Sequence, residues 1–148
     1  MNRLFFFALV LASLVAATDV VGDTLKKPHH WYRGNTHAHS LWSDGNDFPE
    51  MIVDWYQRHG YQFLALSDHN VLHQGERWMS LKAIAKRKRA VGKDAMSKYR
   101  QRFSEKWIET REVEGQKEVR LKTLEEYRSH FEKAEEFLIL QAEEISAK

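Results

Sequence analysis

Cysteine is missing altogether from the 148 residues. Without it there is no disulfide framework and no thiolate ligand, so the fold must rest on a packed core and any bound metal must be held by nitrogen and oxygen. Net charge is nearly missing too: 23 basic side chains face 21 acidic ones, a formal charge of +2 that argues nothing about a polyanionic partner. After residue 17 no stretch is apolar enough to act as a stop-transfer segment, and neither an internal repeat nor a low-complexity tract occurs.

The one long apolar run opens the chain. Met1-Asn2-Arg3 carries a positive charge into Leu4 to Ala17, and the run closes on Val15-Ala16-Ala17, small residues suited to signal peptidase. Residues 1–17 are expected to be a secretory signal peptide, residues 18–30 a linker, and the protein to be secreted or periplasmic without a stable membrane span. The alternative is an uncleaved N-terminal anchor, since the run falls only slightly short of bilayer thickness.

Residues 31–148 are enough for one modest domain. Trp31 to Thr36 reads as a short strand leading into His37-Ala38-His39, and Ser40 to Asn46 as a polar loop containing Ser43-Asp44-Gly45. A helix then begins, with Asp47 as cap, Pro49 in the first turn and Glu50 placed for a capping box. Phe48, Met51, Ile52, Trp55 and Tyr56 fall at helical spacing and form one apolar stripe, and Gly60 ends the helix. Phe63-Leu64-Ala65-Leu66 follows, a continuous apolar run of the kind found in strands buried on both faces, and delivers Ser67-Asp68-His69-Asn70. Strand, helix, strand is a βαβ unit; its parallel strands would present both histidine clusters at one rim.

From Gln74 to about Lys122 the chain is rich in Lys, Arg and Glu. Met96, Tyr99, Phe103 and Trp107 have helical spacing, while Val113, Val119 and Leu121 alternate, which predicts two helices and a hairpin turning near Gly115-Gln116. Such a long connection on an active rim suggests a lid, with Phe103, Trp107 and Trp78 as its own small core. Thr123 and Glu126 cap a further helix to about Lys133, and Phe137 to Leu140 supplies the next strand, ahead of Glu143-Glu144.

On a strand, residues i and i+2 point the same way, so His37 and His39 can grip one cation. Asp44 sits on a loop able to fold over them and His69 arrives from the adjacent strand. Asp68 can either ligate or hold a ligand histidine in one tautomer from behind, and the second role is favoured. Glu144 is a further candidate ligand and Glu143 its exposed neighbour. His29, His30, His59 and His130 read as surface or helix-end residues, with His73 close enough to the second cluster to reach a substrate. Lys86-Arg87-Lys88-Arg89 reads as a solvated face, with phosphate or nucleic-acid contact as the alternative.

His37-Ala38-His39-Ser40-Leu41-Trp42-Ser43-Asp44-Gly45 followed by Ser67-Asp68-His69-Asn70 resembles the first two motifs of the polymerase and histidinol phosphatase (PHP) domain, a branch of metal-dependent phosphoesterases, and Glu144-Ile145-Ser146 resembles the third. The resemblance implies an α/β fold, the N-terminal part of a distorted TIM-like (β/α)7 barrel with residues 74–122 inserted after the second strand. It implies up to three ions, zinc, manganese or iron, with His37 and His39 on one, Asp44 and His69 on another, and Glu144 bridging. Ala142 stands where the family commonly has glycine, and the ligands that the family takes from later strands do not occur before Lys148, so the expectation is either a fragment of a longer protein or a half-barrel that does not complete a trinuclear site. The implied activity is hydrolysis of a small phosphorylated substrate by metal-activated water, with Asp68 and His69 in the catalytic set. A nuclease on the same metals and a non-catalytic metal-binding remnant are the alternatives. Open sheet edges would favour self-association.

Overall fold

A computed structural model describes residues 29–87 and 94–147. The chain divides into Met1–Trp31 and Tyr32–Lys148. Of the first unit only residues 29–31 are described, exposed and without regular structure. The signal segment, most of the linker, and Lys88 and Arg89 of the basic run lie outside the described residues, among which no helix is long and apolar enough to cross a membrane.

The second unit is a mixed α/β fold built on two three-stranded sheets. β1 (Gly34–Ala38), β2 (Phe63–Leu66) and β6 (Leu138–Gln141) form a parallel sheet in the order β1-β2-β6. The central strand is the apolar run expected from the sequence, and Leu64, Ala65 and Leu66 are buried. β1 begins at Gly34 instead of Trp31 and takes in His37, because the close-packed start of the sheet sits there: a Cβ on Gly34 would come within 2.1 Å of the Phe63 ring. The described strands do not close into a barrel. At the outer edge of β6 the N–H of Ile139 donates to Glu132 Oε2 at 2.9 Å and its carbonyl accepts from Arg128 at 2.8 Å. Two side chains thus cover that edge at Ile139, which the sequence left open.

α1 (Pro49–Arg58) departs from the expected orientation and cap. Its buried positions are Pro49, Glu50, Val53 and Asp54, while Met51, Ile52 and Tyr56 are half-buried and Trp55 is exposed. Phe48 is buried as expected and Met51, Ile52 and Tyr56 still pack at the margin of the core, and partners explain why Glu50 and Asp54 turn inward. Glu50 accepts hydrogen bonds from the Tyr99 hydroxyl and, at 3.0 Å, from Trp107 Nε1; Asp54 pairs with Arg102 at 2.6 Å. Glu50 is therefore unable to reach back as a capping-box residue, and burial raises its pKa even though both donors oppose the shift. Phe48 occupies the cap position without a side-chain bond, and Asp47 instead accepts from the Phe48 N–H and pairs with Lys98.

The 74–122 segment holds α2 (Leu81–Lys86), α3 (Ala95–Arg102) and an antiparallel sheet of β3 (Arg77–Ser80), β5 (Gln116–Leu121) and β4 (Thr110–Val113), in the order β3-β5-β4. The hairpin turns on Glu114 and Gly115, both with positive φ, as a two-residue primed turn requires. The expected separate lid core is not what forms. Tyr99, Phe103, Val119 and Leu121 join Leu64, Ile139 and Phe131 in a single core, while Trp78 lies under the Arg111 guanidinium, 4.2 Å from its ring centre. α4 (Leu124–Phe131) carries the capping box predicted for Thr123 and Glu126.

A charged network ties this second sheet to α4. Arg120 donates to Glu109 at 2.8 and 2.6 Å and to Glu126, and Lys122 Nζ reaches Glu109 at 2.5 Å. The bonds from Arg120 and Lys122 bring the Glu109 pKa down to about 2; burial works against Glu126, yet Arg120 and Thr123 bring it to about 2 as well. Both folded values lie below the ordinary 4.5, so the stability these pairs contribute is present above that value and lost as pH falls toward 2. Urea midpoints measured across this acid range are expected to fall steeply in the wild type and more gently in Arg120→Met. An unchanged slope in the variant would contradict the assignment.

Candidate metal centre

Three chain segments meet at the downstream ends of the parallel strands. The Ser67 N–H donates to the Ala38 carbonyl at 2.8 Å, so pairing of β1 with β2 carries through to the histidine clusters. Beyond β6, Glu144 bridges to His69 in parallel: the Asn70 N–H donates to the Glu144 carbonyl at 2.9 Å and the Glu144 N–H to the Asp68 carbonyl at 3.2 Å. Asn70, with φ of +50°, also exchanges side-chain bonds with Ser146 at 2.9 and 3.2 Å. The segments 68–70 and 144–146 are thereby joined edge to edge.

The loop bearing Asp44 is held from beneath by Asp68. This fully buried carboxylate accepts from the Ser40 N–H at 2.9 Å, the Ser40 hydroxyl at 2.8 Å, the Ser43 hydroxyl at 2.6 Å and His73 Nε2 at 2.6 Å. Burial raises its pKa, but these donors outweigh that and bring it to about 2. Gly45 permits the loop to fold back, since a Cβ there would lie 2.3 Å from the His39 carbonyl oxygen. Arg87 Nη1 donates to the carbonyls of Ser43 and Gly45 at 2.5 and 2.8 Å.

Five predicted ligands converge. His37 Nε2 and His39 Nε2 lie 3.1 and 2.8 Å from Glu144 Oε2, and His69 Nδ1 is 3.5 Å from Glu144 Oε1. Asp44 places Oδ1 2.7 Å from His39 Nδ1 and Oδ2 3.6 Å from His69 Nε2. Two groups of three thus overlap at His39: His37, His39 and Glu144, and His39, Asp44 and His69, with the ligand atoms of each within 4.8 Å of one another. Glu144 reaches three histidines through its two oxygens.

One detail distinguishes this cluster from an ordinary set of surface charges. His39 Nε2 and Glu144 Oε2 are both buried and neither makes a hydrogen bond, although they face each other. The two atoms lie 2.8 Å apart, with His37 Nε2 3.1 Å from the same oxygen, so the nitrogen and oxygen donors of three side chains crowd one point without a hydrogen bond to settle them. The residues present therefore fit a divalent ion, and an all nitrogen and oxygen donor set suits zinc, manganese or iron. Burial lowers the His39 pKa, but Asp44 and Glu144 outweigh it and leave it above the ordinary 6.5; the His39 bond in turn lowers Asp44.

Two expectations need correction. Asp68 does not orient a ligand histidine: its imidazole partner is His73, and its remaining bonds fix the Ser40–Ser43 turn. His73 does not reach outward toward a substrate. It is buried, stacked on Trp42 at 5.0 Å, and bonded through Nδ1 to the Tyr127 hydroxyl at 2.8 Å. Glu143 is exposed, as are His29, His30, His59 and His130. Sequence reasoning gave Arg87 no part in this site, because no local pattern signals a bond to carbonyls 42 and 44 residues earlier.

Comparison of the chain with protein families, with characterised proteins and with solved structures finds no match, so the site stands on its own geometry.

Titration with zinc is expected to show binding that His39→Ala weakens by more than about 100-fold, beyond the loss typical of an outer partner. Since an ion competes with the His39 proton, wild-type affinity should decline as pH falls below a midpoint lying above 6.5. Affinity indifferent to His39 or to pH would remove the site. Separately, Asp68→Ala strands four donors and is expected to cost about 3–5 kcal/mol in urea unfolding. A cost under about 1 kcal/mol would show that the carboxylate does not anchor the loop.

Proposed function

We propose that this chain is the metal-holding part of a metal-dependent phosphoesterase of the PHP class, its parallel strands belonging to a distorted (β/α)7 barrel. The observation that carries the reading is the convergence of His37, His39, Asp44, His69 and Glu144 into two triads that share His39, the ligand atoms of each within 4.8 Å of one another. Cations bound there supply an acidified water and a counter-charge for phosphoryl oxygens. The chain's own residues do the rest. His37, His39 and Glu144 would hold one ion, and His39, Asp44 and His69 form the second group able to hold another. Asp68 acts through the loop as a positioning residue, while His69 belongs to the ligand set. A half-exposed rim, with Asp44 67% and His37 64% exposed, suits a small phosphorylated substrate entering from solvent. The apolar opening residues support action outside the cytoplasm.

Nuclease action is the weaker reading: the Arg87 guanidinium bonds two carbonyls of the chain itself instead of facing solvent. The discriminating assay supplies the zinc- or manganese-loaded chain with an aryl phosphate and with a single-stranded oligonucleotide. Phosphate release from the aryl ester, abolished by Glu144→Gln, is the expected result. Cleavage of the oligonucleotide alone would favour the nuclease, and hydrolysis of neither by metal-loaded protein would leave a binding module without catalysis.

A further inference from the structure

We propose that Arg87 is a positioning residue for the Asp44 half of the centre, an assignment that rests on the metal-site reading above. Asp44 is the most exposed of the five ligands, and its loop needs holding on both sides to present a carboxylate at a fixed place. Asp68 secures only the residues before it, Ser40 and Ser43. Arg87 completes the hold. Its Nη1 donates to the carbonyls of the residues before and after Asp44, at 2.5 Å to Ser43 and 2.8 Å to Gly45, so one cationic nitrogen ties the Ser43–Asp44 peptide to the Gly45–Asn46 peptide and spans the ligand between them.

The guanidinium comes from a firm base. Arg87 is the C-cap of α2, its N–H bonded to the Ile84 carbonyl at 3.0 Å; Ile84 is buried in the core and Ser80 caps the helix through a bond from the Ala83 N–H. Ser80 is at once the last residue of β3, paired with Glu118 of β5. The inserted segment therefore braces the rim of the parallel sheet, giving its antiparallel strands and short helix a role in the metal site that does not depend on closing over a substrate. Outer partners of this kind set ligand geometry without touching the ion.

The test is zinc titration of the full chain by calorimetry, comparing wild type, Arg87→Ala, Arg87→Lys, Asp44→Ala and His37→Ala, with amide exchange at residues 43–45 followed in the zinc-free protein. Arg87→Ala is expected to speed that exchange and to weaken by about tenfold the binding step that Asp44→Ala also weakens, sparing the step that depends on His37. Arg87→Lys, which keeps a cationic donor, should recover part of the loss. Should the alanine variant unfold, Arg87→Gln keeps the stem and an amide donor, and the same step must weaken in it. Faster exchange with zinc binding unchanged would overturn the inference while leaving the metal site standing. Absence of zinc binding in the wild type itself would bring down the site, and this inference with it.

Discussion

A single buried carboxylate organises this molecule. Asp68 leaves the end of the central strand, and its four hydrogen bonds reach the backbone and hydroxyl of Ser40, the hydroxyl of Ser43 and the imidazole of His73. An ionised carboxylate can remain inside a fold only if its lone pairs are answered, and here each oxygen has two donors. Because those donors belong to the loop after β1 and to the segment leading toward the second sheet, satisfying one charge fixes both. His73 passes the constraint on to Tyr127 of α4 and, by stacking, to Trp42, whose indole N–H in turn bonds the Lys122 carbonyl at 3.0 Å.

Electrostatics at the rim run the other way. Behind the loop every polar atom of Asp68 is hydrogen-bonded; in front of it, His39 Nε2 and Glu144 Oε2 are buried 2.8 Å apart with no hydrogen bond of good geometry. One carboxylate is answered on all sides, while the other shares its oxygens among three histidines at the open rim. The asymmetry also separates roles by position. Residues bonded inward hold the frame, and those converging outward are available to a cation.

Much of this was legible in the residue order. Phe63 to Leu66 reads as a buried strand because nothing polar interrupts it, and the structure has that strand with those bounds. Thr123 and Glu126 form their box because both bonds are local. His37, His39, Asp44, His69 and Glu144 are brought together because parallel pairing delivers successive strand ends to one side. What could not be read depends on partners remote in the chain. The apolar stripe of α1 says which face is greasy, yet Glu50 and Asp54 turn inward because Tyr99, Trp107 and Arg102 supply donors there. β3 is four residues, Arg77-Trp78-Met79-Ser80, with no strand signature of its own; pairing with β5 makes it one. The polar environment of His73 likewise exists only once Asp68 and Tyr127 are in place.

The central claim is that these imidazoles and carboxylates hold a divalent ion in common. X-ray absorption at the zinc edge of the reconstituted protein tests it most directly. The account predicts nitrogen and oxygen neighbours at about 2.0–2.1 Å, with outer-shell scattering from at least two imidazoles and no sulfur. An ion surrounded by water oxygens alone, without imidazole scattering, would contradict it.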